Sequence, residues 1–262
     1  MISVISIINN ETIARDYLLR GLSRQNKKFQ LLLIDNKTSA YKSASQANNS
    51  ASKKANGDYL MFIHQDLRLL SKNWLKELED WLSTLSKPGL VGAAGMRKPT
   101  FVNEFEVCGR YYLLKKFGKS YLWFNHYGRG NVFHGINGLK WEGQFISDVT
   151  TVQTVDEFLL VMPANVFESI KFDENICNDW HFHGIDFALT VAQKSLKVYV
   201  LPCSPVFHRS SGQTNYAYFR TLAKIIEKHK QAKVINTVCG AFPTDKKLIN
   251  LFGYQSPKTY PN

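Results

Sequence analysis

Asp58-Tyr59-Leu60-Met61-Phe62-Ile63-His64-Gln65-Asp66 is an apolar run that stops abruptly in three polar groups able to hold a cation or a phosphate. Tyr59 to Ile63 suits a central strand covered on both faces, and in an open parallel sheet ligands bind beyond the carboxyl ends of the strands. Two earlier runs end in the same manner, Ile2 to Ile8 in Asn9-Asn10 and Phe29 to Ile34 in Asp35-Asn36. Those side chains can cap a helix or turn, or contact a ligand. Asp156-Glu157 stands at the start of a fourth run, Val155 to Met162, where the two carboxylates can contact a ligand or form a buried salt bridge. A second polar concentration, Asp179-Trp180-His181-Phe182-His183-Gly184-Ile185-Asp186, leads straight into a helical pattern with Ile185, Ala188, Leu189 and Ala192 on one face. Asp186 falls in that helix's first turn, where the macrodipole stabilises a carboxylate with or without a function.

The elements between these groups must position them. Ile13, Tyr17, Leu18 and Leu22 give the first helix one apolar stripe. Ser43 to Asn56 reads as a second helix, weakly apolar and rich in small residues, closed by Asn56-Gly57 with glycine in the left-handed C-terminal position. Two strand–helix–strand crossovers in the first quarter of the chain predict a doubly wound sheet. Trp74, Leu75, Leu78, Trp81, Leu82 and Leu85 recur at helical spacing and precede a strand from Leu90 to Gly95. From Thr100 to Thr154 the pattern loosens into aromatic and basic residues, either a sugar- or lipid-facing lobe or a small supporting subdomain. Val155 to Met162 reads as one strand, Pro163-Ala164-Asn165 opens a short helix, and Val198 to Leu201 is a further strand before His208-Arg209-Ser210-Ser211-Gly212. From Asn215 a helix carries Tyr218, Leu222, Ile225, Ile226 and His229 on one side, as a packing or membrane-surface element.

The length of 262 residues suits one large α/β domain, alone or with an elaborated lobe. The net charge of +12 implies anionic partners such as nucleotides, phospholipid headgroups or nucleic acid. No zinc-finger, helix-turn-helix or RNA-recognition signature accompanies the charge, which argues against nucleic acid. Cys108, Cys177, Cys203 and Cys239 form no CxxC pair and are expected as reduced thiols. A rival zinc site would draw on Cys177, His181, His183, Cys203 and His208, in a spacing that matches no standard structural site. No apolar run is long enough to span a bilayer, and the chain opens without a charged n-region, so a cytoplasmic location is expected.

In order and spacing these motifs resemble the family 2 type of glycosyltransferases, particularly the bacterial branch associated with capsule and other surface polysaccharides. The resemblance covers about residues 1–96 and 155–212. It implies the GT-A fold, a Rossmann-like mixed, mainly parallel sheet flanked by helices in a single domain over 1–262. A nucleotide-binding half at about 1–99, the insertion at about 100–154, a catalytic and acceptor half at about 155–212 and a helical tail at about 213–262 make up that domain. It further implies transfer of a sugar, with inversion, from a nucleotide-diphosphate donor to a glycan or lipid-linked acceptor, with Mn2+ or Mg2+ as cofactor. Asp35 resembles the residue that meets the nucleotide base, with Asn9 and Asn36 beside it. Asp66 matches the metal-binding acidic motif, His208 the terminal histidine motif and Asp186 the catalytic base. His64 stands where that family's metal motif usually has a second carboxylate, and with Gln65 it is expected at the diphosphate. Asp156 and Glu157 are expected at the donor sugar or acceptor. Contact with the inner face of an anionic membrane, and a non-catalytic nucleotide-sugar or carbohydrate binder, are the remaining expectations.

Overall fold

Residues of each central strand alternate between two apolar layers, and this alternation buries the sheet on both faces. The computed structural model describes residues 1–100, 103–136, 140–141, 143–210 and 215–251. Ile2, Val4, Ile8, Met61 and Ile63 pack with Trp74, Leu75 and Leu78 on one side. Ile5, Leu60 and Phe62 pack with Phe167, Phe187 and Ala188 on the other, as a period of two demands. The seven strands lie in the order Thr150–Thr151, Lys197–Val200, Pro88–Gly92, Leu159–Pro163, Tyr59–Ile63, Ile2–Ile8, Gln30–Asp35. Ile2–Ile8 is parallel to both Gln30–Asp35 and Tyr59–Ile63, and Pro88–Gly92 to Lys197–Val200. Leu159–Pro163 runs antiparallel between the two blocks, so the sheet is mixed and mainly parallel, as expected.

Two runs that read as single strands are each broken. Leu90 to Gly95 divides into Pro88–Gly92 and Ala94–Met96, and Val155 to Met162 into Thr154–Val155 and Leu159–Pro163. Thr154–Val155 pairs with Ala94–Met96, which pairs in turn with Gly128–Gly130, in a second, three-stranded sheet. The chain thus changes sheets at Asp156-Glu157-Phe158, and the acidic pair occupies a corner between two sheets rather than a position in a strand. Gly57 likewise departs from the expected left-handed cap. Its backbone is not left-handed; instead a Cβ there would lie 2.6 Å from Ser3 N and 2.8 Å from Met1 O, so glycine is needed for close approach to the first strand. The helix before it is shorter than expected, Ala44–Ser52, with Ser43 Oγ accepting from Gln46 N at 3.1 Å as its N-cap.

The Tyr216–Lys228 helix is a packing element. Asn215 caps it, and Tyr218, Leu222, Ile225 and Ile226 are buried against Phe182, Ile185 and Leu189. The insertion forms two helices, Glu104–Lys116 and Ser120–Tyr127, with a core of their own. Val107, Cys108, Tyr111, Trp123 and Tyr127 pack there on Met96, Val234 and Ala241, and Trp123 Nε1 donates to Asn236 Oδ1 at 2.9 Å. None of the four cysteines is joined in a disulfide. Among the described residues no helix is long and apolar enough to cross a membrane.

Candidate active site

The Tyr59–Ile63 strand delivers His64, whose amide donates to Phe158 O at 2.9 Å and so fixes it against the corner between the sheets. Three residues on, Leu67–Leu69 pairs antiparallel with Val206–His208, in a register that sets His208 opposite Leu67. Arg209 N donates to Asp66 O at 3.0 Å and closes the arrangement. Asp66 Oδ1 then lies 3.5 Å from His208 Nε2 and 3.9 Å from His64 Nδ1. One donor atom from each of the three residues falls within 4.8 Å of the others, the only such ligating group of three or more among the described residues. Cys177, His181, His183 and Cys203 do not assemble into the rival zinc site.

His208 is buried, yet neither of its ring nitrogens has a hydrogen-bond partner. Buried polar atoms are rarely left so, and a cation bridging His208 and Asp66 would satisfy one of them. Burial pushes the Asp66 carboxyl up, but His208 and His64 outweigh it and hold the carboxyl below its ordinary range. His64 has its side chain 47% exposed at the mouth of the site. Desolvation and the neighbouring His208 nevertheless pull its imidazole down to about 4, against the opposing pull of Asp66. Two nitrogens and a carboxylate oxygen fit Mn2+ better than Mg2+, which prefers oxygen ligands.

A cavity of about 250 Å³ opens beside this cluster, and Asn9, His64, Gln65, Asp66 and Glu157 line it together with Trp180 and His183. Gln65 ties its floor together. Gln65 Oε1 accepts from the amides of Asn9 and Asn10, each at 3.0 Å, and Gln65 Nε2 donates to Asn9 Oδ1. Glu157 reaches across from the sheet corner to the start of the His183–Gln193 helix, where its two oxygens accept from Phe182 N at 2.9 Å and Gly184 N at 2.6 Å. Phe182 adopts a left-handed backbone, φ 69°, unusual for a bulky residue, and this turns both amides toward one carboxylate. At Gly184 a Cβ would meet Leu160 Cδ1 at 3.0 Å and Glu157 Cγ at 3.3 Å, so a larger residue would press on Glu157. Burial pushes the Glu157 carboxyl up to about 7 even though the Gly184 and Phe182 amides pull it down. His183 Nδ1 lies 3.1 Å from Glu157 Oε1, and burial holds the His183 imidazole down at about 4.

Asp186 is not among the residues lining this cavity. Its side chain is 4% exposed, with Oδ1 2.7 Å from His229 Nε2 and Oδ2 2.8 Å from Lys228 Nζ. Lys228 also holds Asp173 at 2.9 Å, and His229 Nδ1 meets Gln193 Nε2 at 2.8 Å. The helix start therefore turns Asp186 toward the end of the Tyr216–Lys228 helix, as a clamp between two elements. Breaking a buried pair by removing one partner costs about 3–5 kcal/mol. Asp186→Asn and His229→Ala are both expected to lose stability on that scale in chemical denaturation, and the double variant to lose far less than the sum.

The remaining positions divide. Asp35 is exposed, its Oδ1 accepts from Lys37 N at 2.9 Å, and that hydrogen bond holds its carboxyl below the usual range. Asn36 is buried and its amide is engaged with Tyr41, accepting from Tyr41 N at 2.8 Å and donating to Tyr41 O at 3.3 Å. It shapes a turn, while Asp35 stays open at the sheet edge. Asp156 lines a separate cavity of about 30 Å³ with Arg129 and His134. Burial pushes its carboxyl up, against the opposing pull of His208 and His134. Ser211 and Gly212 of the histidine motif lie outside the described residues. No pattern in the sequence singles out Trp180 and His183 as cavity-lining; the usable signal is that their polar stretch immediately precedes a helix.

Solved structures share this fold. A mannosyltransferase, PcManGT from Pyrobaculum calidifontis in complex with GDP-Man and Mn2+, superposes with a TM-score of 0.54 at 12% identity, covering 87% of this chain and 63% of that one. Residues 1–349 of TarS from S. aureus in complex with UDP give 0.53 at 11% identity over 87% and 64%. GalNAc-T7 with UDP, GalNAc and Mn2+ gives 0.57 at 10% over 87% and 47%. The fold is the GT-A fold of glycosyltransferases, and the chain spans less than two thirds of the length of each of these structures. A family model described as Glycosyltransferase like family matches residues 3–231, and the chain belongs to that family. None of the curated proteins matches it.

Proposed function

We propose that the chain is a glycosyltransferase that moves a sugar from a nucleotide-diphosphate donor to a hydroxyl of a glycan or lipid-linked acceptor. The observation that carries this reading is the His64–Asp66–His208 cluster opening onto the cavity that also holds Glu157. The presence of GDP-Man, UDP and Mn2+ in structures of the same fold supports it. Asp66 and His208, with His64 at the rim, would hold a divalent cation, which when bound neutralises charge on the leaving diphosphate. Asn9 and Gln65 frame the floor, and Asp35 at the adjoining strand end is available to the nucleoside.

Glu157, rather than Asp186, is the base in this reading. Glu157 lines the cavity and two backbone amides orient its carboxylate, whereas Asp186 is not among the lining residues and is held in the clamp. As the acceptor oxygen bonds to the anomeric carbon, its proton passes to Glu157 and the bond to the diphosphate breaks. Attack opposite the leaving group inverts the anomeric configuration and needs no covalent enzyme intermediate. Synthesis of a bacterial surface polysaccharide at the cytoplasmic side of the membrane is the setting this chemistry and the basic surface fit.

A thermal-shift panel of UDP, GDP, dTDP and CMP with and without Mn2+ tests the reading, followed by hydrolysis of the matching sugar nucleotide. A nucleotide at a hundred times its Kd adds about 2.7 kcal/mol of stability, roughly 5–10 °C for a chain of this size. One nucleotide should do so only with Mn2+, and its sugar conjugate should be turned over. Stabilisation without turnover would make the chain a binder, and no response from any nucleotide would overturn the reading.

A further inference from the structure

The two insertion helices carry apolar side chains on both faces, and only the inner face is covered. On the outer face Leu113 is 52% exposed, Phe117 67%, Tyr121 53% and Leu122 44%. A helix on a water-facing surface normally keeps its outer face polar, so a second apolar face implies a second contact. These four residues cluster at the tip of a helical hairpin, where Glu104–Lys116 turns into Ser120–Tyr127.

The tip is a built turn. Lys119 N donates to Leu114 O at 2.7 Å and Gly118 N to Lys115 O at 3.1 Å, with Gly118 left-handed at φ 68°. This is the Schellman ending of a helix, and it leaves Phe117 outermost. The inner face is anchored by buried Tyr111, Trp123 and Tyr127, so the outer face is presented on a fixed support. Lys115, Lys116 and Lys119 surround the apolar tip and are all exposed. Between Val107 and Trp141 the chain carries Arg110, Lys115, Lys116, Lys119, Arg129 and Lys140 and no acidic residue at all. The lysines in the last turn also complement the helix dipole, but that does not account for the aromatic and leucine side chains beside them.

We propose that this hairpin tip docks the protein on an anionic lipid bilayer, with Phe117, Leu113, Tyr121 and Leu122 entering the headgroup and acyl boundary. Lys115, Lys116 and Lys119 lie among the lipid phosphates, their stems along the apolar surface. A second copy of the chain fits less well, because an isologous contact would set each lysine cluster against its duplicate. Docking at this tip is separate from glycosyl transfer, since it uses none of the cavity residues.

Sedimentation of the full chain with vesicles of phosphatidylcholine, with and without phosphatidylglycerol, tests it without donor or metal. Binding is expected only to the anionic vesicles and should fall as salt rises. Removing three juxtamembrane charges in Lys115→Gln/Lys116→Gln/Lys119→Gln should weaken partitioning about a hundredfold, and Phe117→Ser about tenfold or more. A charge-matched control, Lys28→Gln/Lys53→Gln/Lys54→Gln, should bind nearly as well as the parent. Circular dichroism establishes that each variant is folded. Equal losses in the two triple variants, or no binding by the parent chain, would overturn the proposal. So would a dimer in light scattering that Phe117→Ser dissociates, which would assign the tip to a second copy.

Discussion

Asp66→Ala is expected to reduce sugar-nucleotide turnover by at least about a thousandfold and to abolish the Mn2+-dependent part of nucleotide binding. Asp66 is the one carboxylate of the cluster and stands between the two imidazoles, 3.5 Å from His208 Nε2 and 3.9 Å from His64 Nδ1. Without it two imidazole rings face a dication and a diphosphate with no carboxylate beside them, and charge stabilisation of the leaving group goes with the ion. Because Asp66 is held in place by its backbone, with Arg209 N donating to its carbonyl, the variant should keep the surrounding strand pairing. Steady-state kinetics and the nucleotide thermal shift, each with and without Mn2+, read the effect. A variant that keeps its Mn2+-dependent shift would remove Asp66 from the metal site. Retention of turnover would remove the ion from the chemistry.

Glu157→Gln is expected to lower kcat by about a hundredfold to ten-thousandfold while nucleotide binding survives. In the parent chain the acid limb of kcat/KM should have its midpoint near 7, where burial has pushed the carboxyl. The direction follows from the role: a base must be deprotonated, so below the midpoint the rate falls about tenfold per pH unit, and above it the rate is level. Stability runs the other way. A folded pKa raised from 4.5 to about 7 means that the fold binds this proton more tightly than the unfolded chain does. The contribution is fully present below about 4.5 and is lost as pH rises to about 7, where the Phe182 and Gly184 amides offset part of the cost. Glutamine turns an N–H toward one of those amides, so Glu157→Asp serves as a second variant, expected to keep the acid limb at a reduced rate. A pH profile that loses no limb in Glu157→Gln, with kcat unchanged, would return the base to another residue.

The parts of this architecture set by local pattern could be read directly from the chain. Ile2–Ile8 and Tyr59–Ile63 are apolar enough to be central strands, and the residues that follow them, Asn9 and Asp66, line the cavity. The stripe of Trp74, Leu75, Leu78 and Leu82 and the Asn215 cap likewise announce their helices. What hydrophobic periodicity does not carry is a change of partner. Nothing within Val155 to Met162 records that Val155 pairs with Gly95 while Leu159 pairs with Ile63, so the corner that aims Glu157 at the cavity and Asp156 at its smaller neighbour is invisible in the run. Asp186 is the same problem at longer range. Its position at a helix start is local, but the direction of its carboxylate depends on Lys228 and His229, some forty residues downstream. Gly57 shows the limit for glycine, since a glycine after Asn reads equally as a left-handed cap or as a gap left for a passing strand.

His64, Asp66 and His208 are expected to hold one divalent cation beneath a nucleoside diphosphate. Crystals of the chain soaked with Mn2+ and the nucleotide selected by thermal shift, measured for the anomalous signal of manganese, test it most directly. A single strong peak is expected in contact with the Asp66 carboxylate and a ring nitrogen of His208, with the diphosphate on its open side in the cavity lined by Glu157. A peak elsewhere with the nucleotide, or nucleotide bound in that cavity with no peak at Asp66, would contradict it.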